Sequence, residues 1–369
     1  MMKRFDFIDS VKIKEIIRAL CVFLDSECSE IFLYGSAASN DLVYLIENDQ
    51  LFFLSDIEFI VILKQDHNKN LKEYGKKISN ACYEYLKSRS DIGKAPFVDV
   101  NVVSRDYFRN LQMRISTFEL RENGKCLKGE NYLEYLPQIG TEQYNPMIQN
   151  IEIIKGLKIL LLESYKYFLC CDNTAISNSL SFCYFLSSSF LNILRTLLPL
   201  YGNFVSTSEK RVFEIGKLKN DVKIKRHFSN DVMENFGKIY SQKRQGKFSN
   251  TPKELFLVTY KAYKELLCLI LDCNESVLTT RLAEKKDEIF WGDQAKKDML
   301  ADLANFFISA LECLNKMIID EGVSLTDLKR VEIGFDRLLA TENAFRFAEI
   351  MEHYTKMEKL RWKIIGSKD

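Results

Sequence analysis

Proline is scarce in this chain: there are 5 in 369 residues, the last is Pro252, and nothing beyond it interrupts a helix. Histidine is scarcer, with only His67, His227 and His353. Although 10 cysteines are present, no two stand as Cys-x-x-Cys, so the ligand spacing of a structural zinc site is missing. Net charge is nearly absent as well. With 52 Lys and Arg against 51 Asp and Glu the formal balance is +1, which leaves no global field to draw nucleic acid or a membrane surface. Long apolar runs are also lacking. The most apolar stretch, 180–200, carries Asn192, Arg195 and Ser187-Ser188-Ser189 and closes at Pro199. It reads as a buried helix, because a membrane span wants about 18 or more uninterrupted apolar residues. Asp6 and Asp9 interrupt any signal-like core at the start. No internal repeat and no low-complexity tract is present.

The remaining composition, 47% hydrophobic and 28% charged, is that of a globular protein with material for two or three cores of about 100 to 200 residues each. Cys170, Cys171, Cys183, Cys268 and Cys313 fall on apolar helical stretches, where free thiols are common, and this usage points to a reducing, cytoplasmic compartment.

The organisation changes along the chain. Residues 8–24 repeat apolar side chains at helical spacing (Val11, Ile13, Ile16, Ile17, Leu20, Leu24), and a strand then runs into Tyr34-Gly35-Ser36. Strands are predicted over 57–63 and 97–103, with a helix over 71–86 between them. The apolar runs 42–46 and 51–54 read as a helix extension and one added strand. From about residue 147 the pattern is helical almost throughout. The spacing predicts an α+β protein: a mixed-sheet domain over 1–140, an all-α domain over 141–275 and a helical extension over 276–369.

Acids inside apolar strands call for a chemical reason. Ser55-Asp56-Ile57-Glu58 and Val98-Asp99-Val100 each place a carboxylate among residues that face a core. Asp56 and Glu58, two apart on a strand, share a face, while Ile57 and Phe59 face the other layer. Like charges that close are unfavourable without a cation. Two divalent ions about 3.5 to 4 Å apart would resolve them, and magnesium suits oxygen ligands with positions left for phosphate. Gly35 lets the backbone approach a ligand closely, and its N–H groups with the Ser36 hydroxyl suit terminal phosphates.

These strings, Leu33-Tyr34-Gly35-Ser36, Ser55-Asp56-Ile57-Glu58-Phe59-Ile60-Val61 and Val98-Asp99-Val100, resemble the signature of the DNA polymerase beta-like nucleotidyltransferase superfamily. Phe118-Glu119-Leu120 leading to Gly124 through Gly129 is similar to a segment that closes the catalytic domain of aminoglycoside-modifying members. The continuation Ala37-Ala38-Ser39-Asn40 lacks the usual Arg and Gly, and residues 36–55 make a longer connection than compact members have. The resemblance implies that Asp56 and Glu58 bind both magnesium ions, that Asp99 binds the catalytic one, and that Gly35 and Ser36 bind the triphosphate. It implies transfer of a nucleoside monophosphate from a nucleoside triphosphate to a hydroxyl on a small molecule or a protein, releasing pyrophosphate. The alternative is a non-catalytic or antitoxin-like module that binds nucleotide or another protein. A nucleic-acid partner is not favoured, and no membrane partner is expected.

Weaker signals are few. Residues 209–247 are locally basic, and Lys210 and Arg211 are candidates for triphosphate contacts from the helical half. Arg346 and His353 show a spacing similar to that of HEPN ribonucleases, and Trp291 and Trp362 read as packing residues.

Overall fold

The computed structural model describes residues 10–64, 70–111, 114–138, 146–165, 167–168, 176–290 and 293–319. Trp291, Arg346, His353 and Trp362 lie outside these residues. The protein is α+β, with two mixed sheets in the N-terminal half and helices in the C-terminal half. It divides into two compact units, one formed by Met1–Tyr144 with Phe204–Arg211 and Ser241–Lys247, the other by Asn145–Asn203, Val212–Tyr240 and Phe248–Asp369.

In the first unit, α1 (Val11–Asp25) starts where the Ser10 hydroxyl accepts the Ile13 N–H, and it buries Ile13, Ile16, Ile17, Leu20 and Leu24 along one stripe. Next come β1 (Cys28–Tyr34), the four-residue helix α2 (Gly35–Ala38), β2 (Tyr44–Glu47), β3 (Gln50–Phe53) and β4 (Ile57–Leu63). α3 (Leu71–Lys87) is capped by Asn70, and is followed by β5 (Ile92–Lys94) and β6 (Val98–Val102). α4 (Arg105–Arg109), α5 (Ile115–Asn123), β7 (Lys125–Lys128) and a 3₁₀ turn (Tyr132–Tyr135) complete the unit's elements before residue 138.

The larger sheet has the order β6-β4-β1-β7. β1 is antiparallel to β4 and β7, while β4 and β6 are parallel. One face packs Ile31, Leu33, Ile57, Phe59, Val61, Val98 and Val100 against α1 and the Cys82–Leu86 side of α3. Each such side chain, fully buried, contributes about 1.5 to 3 kcal/mol. The opposite face packs Phe32 and Ile62 against Phe108, Leu120, Tyr132 and Leu133, a smaller cluster that partly covers Tyr34 and Ile60.

The insert differs from expectation. α2 ends at Ala38, and residues 44–53 form the hairpin β2–β3, which pairs Tyr44 with Phe53 and Glu47 with Gln50. The connecting Asn48 and Asp49 have φ of 50° and 63°. Two consecutive left-handed residues make the tight turn whose twist matches paired strands, and Asn and Asp tolerate that conformation best. β3 adds β5 in parallel to form the second sheet. β7 is a further strand that the sequence pattern did not mark.

In the second unit, α6 (Pro146–Tyr165), α7 (Ile176–Leu197), α11 (Pro252–Leu271) and α14 (Gln294–Ile318) are the long helices, and the short α12 (Leu278–Glu284) and α13 (Lys286–Ile289) precede the last of them. Between α7 and α11 run α8 (Ser208–Lys217), α9 (Val222–His227) and α10 (Asn230–Gln245), parts of which belong to the first unit. α7 packs on both α6 and α11. Leu157, Leu160, Leu186, Phe190, Leu197 and Leu266 are fully buried there. The apolar stretch at 180–200 is thus core, and no helix among the described residues is long and apolar enough to cross a membrane.

One glycine fixes how α3 meets the sheet. A Cβ on Gly75 would lie 2.6 Å from the Val100 carbonyl oxygen, so this close approach admits no side chain. Gly237 in α10 has open space where its Cβ would go. Gly75→Ala is expected to destabilise by about 1 to 3 kcal/mol through overpacking. Gly237→Ala should stabilise by about 0.5 to 1 kcal/mol through helix propensity. Urea unfolding of the two variants measures both signs.

Candidate active site

The second face of the larger sheet carries the acids. β1 pairs Tyr34 with Glu58, and β4 pairs Glu58 with Asp99, so Tyr34, Glu58 and Asp99 stand in one row across three strands. Neighbouring strands lie about 4.8 Å apart, and side chains in one row share a face. Ile57 and Phe59 alternate to the opposite face, where they are fully buried. The apolar alternation that builds the core therefore sends these acids outward.

Asp56 lies just before β4. Its predecessor Ser55 is buried, accepting the Val43 N–H at 2.8 Å and donating its own N–H to the Val43 carbonyl at 3.1 Å. Ser55 thus fixes where β4 begins and ties it to the insert. The Asp56 side chain keeps solvent access, yet the protein around it is dense enough to matter. Its carboxyl is pushed up to about 6, by burial first and then by the charge of Asp99, with Lys94 of β5 opposing.

Gly35 follows β1 with φ of 66°, and a Cβ there would overlap the Glu58 carboxylate. Glycine is needed twice over, for the left-handed backbone and for the carboxylate lying on it. The Ser36 hydroxyl makes a long 3.4 Å bond to the Asp56 carbonyl, and the Asp41 N–H closes the turn onto the Ser36 carbonyl at 2.8 Å. The five residues expected at the site, Gly35, Ser36, Asp56, Glu58 and Asp99, are brought to one place.

Two residues with no motif of their own join them. The Asn101 amide donates to Asp99 Oδ2 at 2.9 Å and to the Tyr34 hydroxyl at 2.8 Å. Burial, then Glu58 and Asp99, raise the Tyr34 phenol far above its ordinary range, so it stays protonated. Asn101 was legible only as the residue two beyond Asp99 on the same face. Tyr34 was legible only as the end of its strand.

No metal or ligand is part of the structure, so the donor set itself is the test of fit. Among the described residues, no three His, Cys, Asp or Glu side chains converge as a metal-holding group. The Glu58 carboxylate lies over Gly35, and the Asp99 carboxylate accepts from Asn101. The donors are nevertheless of the type a hard cation prefers: carboxylates only, with Asp56 held above its ordinary range first by burial and then by Asp99.

A second charged cluster flanks the Gly35–Asp41 turn. Arg244 reaches Asp41 at 3.8 Å and Glu209 at 4.0 Å. Burial lowers Lys243 to about 8, Arg211 adds to this, and Asp41 opposes it. The expectation for Arg211 needs correcting. Its guanidinium is buried, pairs with Glu119 and donates to the Val205 carbonyl at 3.1 Å, so it anchors the 204–211 segment and is not presented to a ligand. Lys210 is exposed beside it, its backbone N–H bonded to Thr207 Oγ1 at 3.3 Å. Comparison with protein-family models and with curated proteins finds no match to this chain.

The raised Asp56 carboxyl sets a pH dependence for the metal-free protein. A folded-state value near 6 against an ordinary value of 3.8 means that the folded chain binds the proton more tightly, so stability falls as pH rises between the two. Asp56→Asn removes that loss. In chelator, the variant is expected to match the parent near pH 4 and to exceed it above pH 7 by on the order of 1 kcal/mol, a figure discounted for solvent screening of the exposed carboxylate. Thermal melts across pH 4 to 8 test this, and a constant difference at every pH would contradict it.

Proposed function

We propose that the chain is a metal-dependent nucleotidyltransferase that moves a nucleoside monophosphate from a nucleoside triphosphate to a hydroxyl acceptor and releases pyrophosphate. The observation that carries this reading is the single row Tyr34–Glu58–Asp99, with Asp56 and the Gly35 turn beside it. A glycine turn, an Asp-x-Glu pair and a third acid on the neighbouring strand form a combination that a purely structural role does not require.

In this reading Asp56, Glu58 and Asp99 hold two magnesium ions, which when bound supply positive charge to the phosphates and to the entering and leaving oxygens. Asp99 accepts the proton of the acceptor hydroxyl. Asn101, which donates to both Asp99 and Tyr34, and the protonated Tyr34 orient the Asp99 carboxylate. The backbone of Gly35 and the hydroxyl of Ser36 receive the terminal phosphates. Lys94, the cation nearest in effect to Asp56, favours the ionised form of that acid.

One observation favours a second reading, a nucleotide-binding or protein-interaction module without turnover: the Glu58 carboxylate lies over the Gly35 turn that the phosphates would occupy. The two readings part experimentally. With magnesium, at least one of the four nucleoside triphosphates should raise the melting temperature, and pyrophosphate should appear once an acceptor is supplied. Asp99→Asn is expected to lower pyrophosphate release by at least a hundredfold while the nucleotide-induced shift survives in part. No shift with any of the four triphosphates would sink the transfer reading and leave only the protein-interaction form of the second, whereas a shift without turnover in the parent would leave its nucleotide-binding form.

A further inference from the structure

A cleft of about 660 Å³ opens beside β6 within the N-terminal unit, between the first half of α3 and the start of α4. Its size falls in the range of small-molecule sites, about 300 to 1,000 Å³. Asp99 and Asn101 line it, so the proposed proton acceptor of the reaction faces into it. On the α3 wall stand Lys72 and Lys76, one helical turn apart on one face. Both are exposed, and neither has an ion-pair partner among the described residues, while Glu73 on the adjoining face takes Lys77 at 3.5 Å. Phe97 and Tyr107 flank the cleft with 55% and 62% of their surfaces exposed. Asp99 is the one acid among the described residues that line it.

We propose that this cleft is the acceptor site and that the acceptor is a small hydroxyl-bearing phosphomonoester. Its phosphate sits on Lys72 and Lys76, its body lies along Phe97 and Tyr107, and its hydroxyl faces Asp99. Charge decides this orientation, because an anionic group at the Asp99 end would be repelled and at the lysine end is attracted. The inference rests on the nucleotidyl-transfer reading. In that reaction the acceptor oxygen forms a bond to the α-phosphorus, the bond from that phosphorus to the bridging oxygen breaks, pyrophosphate departs with the electron pair, and the acceptor proton goes to Asp99.

The test uses the full chain and two probes, phenyl phosphate and ribose 5-phosphate, each against its phosphate-free counterpart, phenol and ribose, by calorimetric titration. The phosphorylated probes should bind at least tenfold tighter. In the Lys72→Gln/Lys76→Gln double variant that gap should close, while the magnesium–nucleotide melting shift is retained. Phe97→Ala should weaken both phosphorylated probes, and unchanged binding of both would overturn the placement of the acceptor body along that ring. Equal binding of phosphorylated and unphosphorylated probes would overturn the proposal, as would an unchanged double variant. Lysine-dependent binding of a single-stranded oligonucleotide but of neither monoester would overturn it in favour of nucleic acid. Lysine-dependent binding of the monoesters with no nucleotide response would defeat the transfer reading alone, leaving the cleft as a phosphomonoester site.

Discussion

The register of β1, β4 and β6 is the constraint on which the rest of the N-terminal unit depends. Side chains on a strand alternate with period two, so slipping any of these strands by one residue exchanges its faces. On β4 such a slip would drive Glu58 into the layer now filled by Ile57, Phe59 and Val61, all with no exposed surface. Burying an unpaired carboxylate there costs several kcal/mol or forces its protonation. The larger core therefore enforces the position of the acids without touching them. Tyr34, Glu58 and Asp99 form one row because the opposite faces of their strands are more apolar than any alternative pairing could satisfy.

That row is electrostatically unfavourable as it stands. Acids on adjacent strands destabilise a sheet when they are directly opposite, and Asp56 adds a third charge at the edge. The protein answers with hydrogen bonds: the Asn101 amide lies between Asp99 and Tyr34, and the Tyr34 phenol is kept protonated by its surroundings. These bonds orient Asp99 but add no positive charge, and Lys94 opposes only part of the rise at Asp56. Local rules are broken at one place in a unit that otherwise follows them, as happens where function is placed.

Much of this was legible because it follows from period. The helical stripe of α1, the capped α3 and the strands that carry Glu58 and Asp99, the first of them beginning directly after Asp56, all follow from apolar spacing. The hairpin at 44–53 was not, because four-residue apolar runs fit a helix turn or a strand equally well. The choice was made by the left-handed pair Asn48-Asp49. β7 escaped notice because it is short and has lysines at both ends. The attachment of 204–211 and 241–247 to the first unit had no local signature at all. It depends on partners far apart in sequence, Arg211 with Glu119, Asn123 with the Ser206 carbonyl and Arg244 with Asp41.

The parallel pairing of β4 and β6 has a last consequence for the site. Parallel neighbours need a long crossover, and here the crossover contains α3, which returns alongside β6. β6 is the edge of its sheet, so its outward backbone groups would invite another strand. α3 prevents this at Val100, whose N–H bonds the Ser79 hydroxyl at 2.9 Å and whose carbonyl lies under Gly75. A helix pressed that closely must keep small residues against the strand, and its longer side chains diverge to either side. On the side toward Asp99 those side chains include Lys72 and Lys76. The same packing that closes the edge against strand addition thus sets two cations along the cleft into which Asp99 opens.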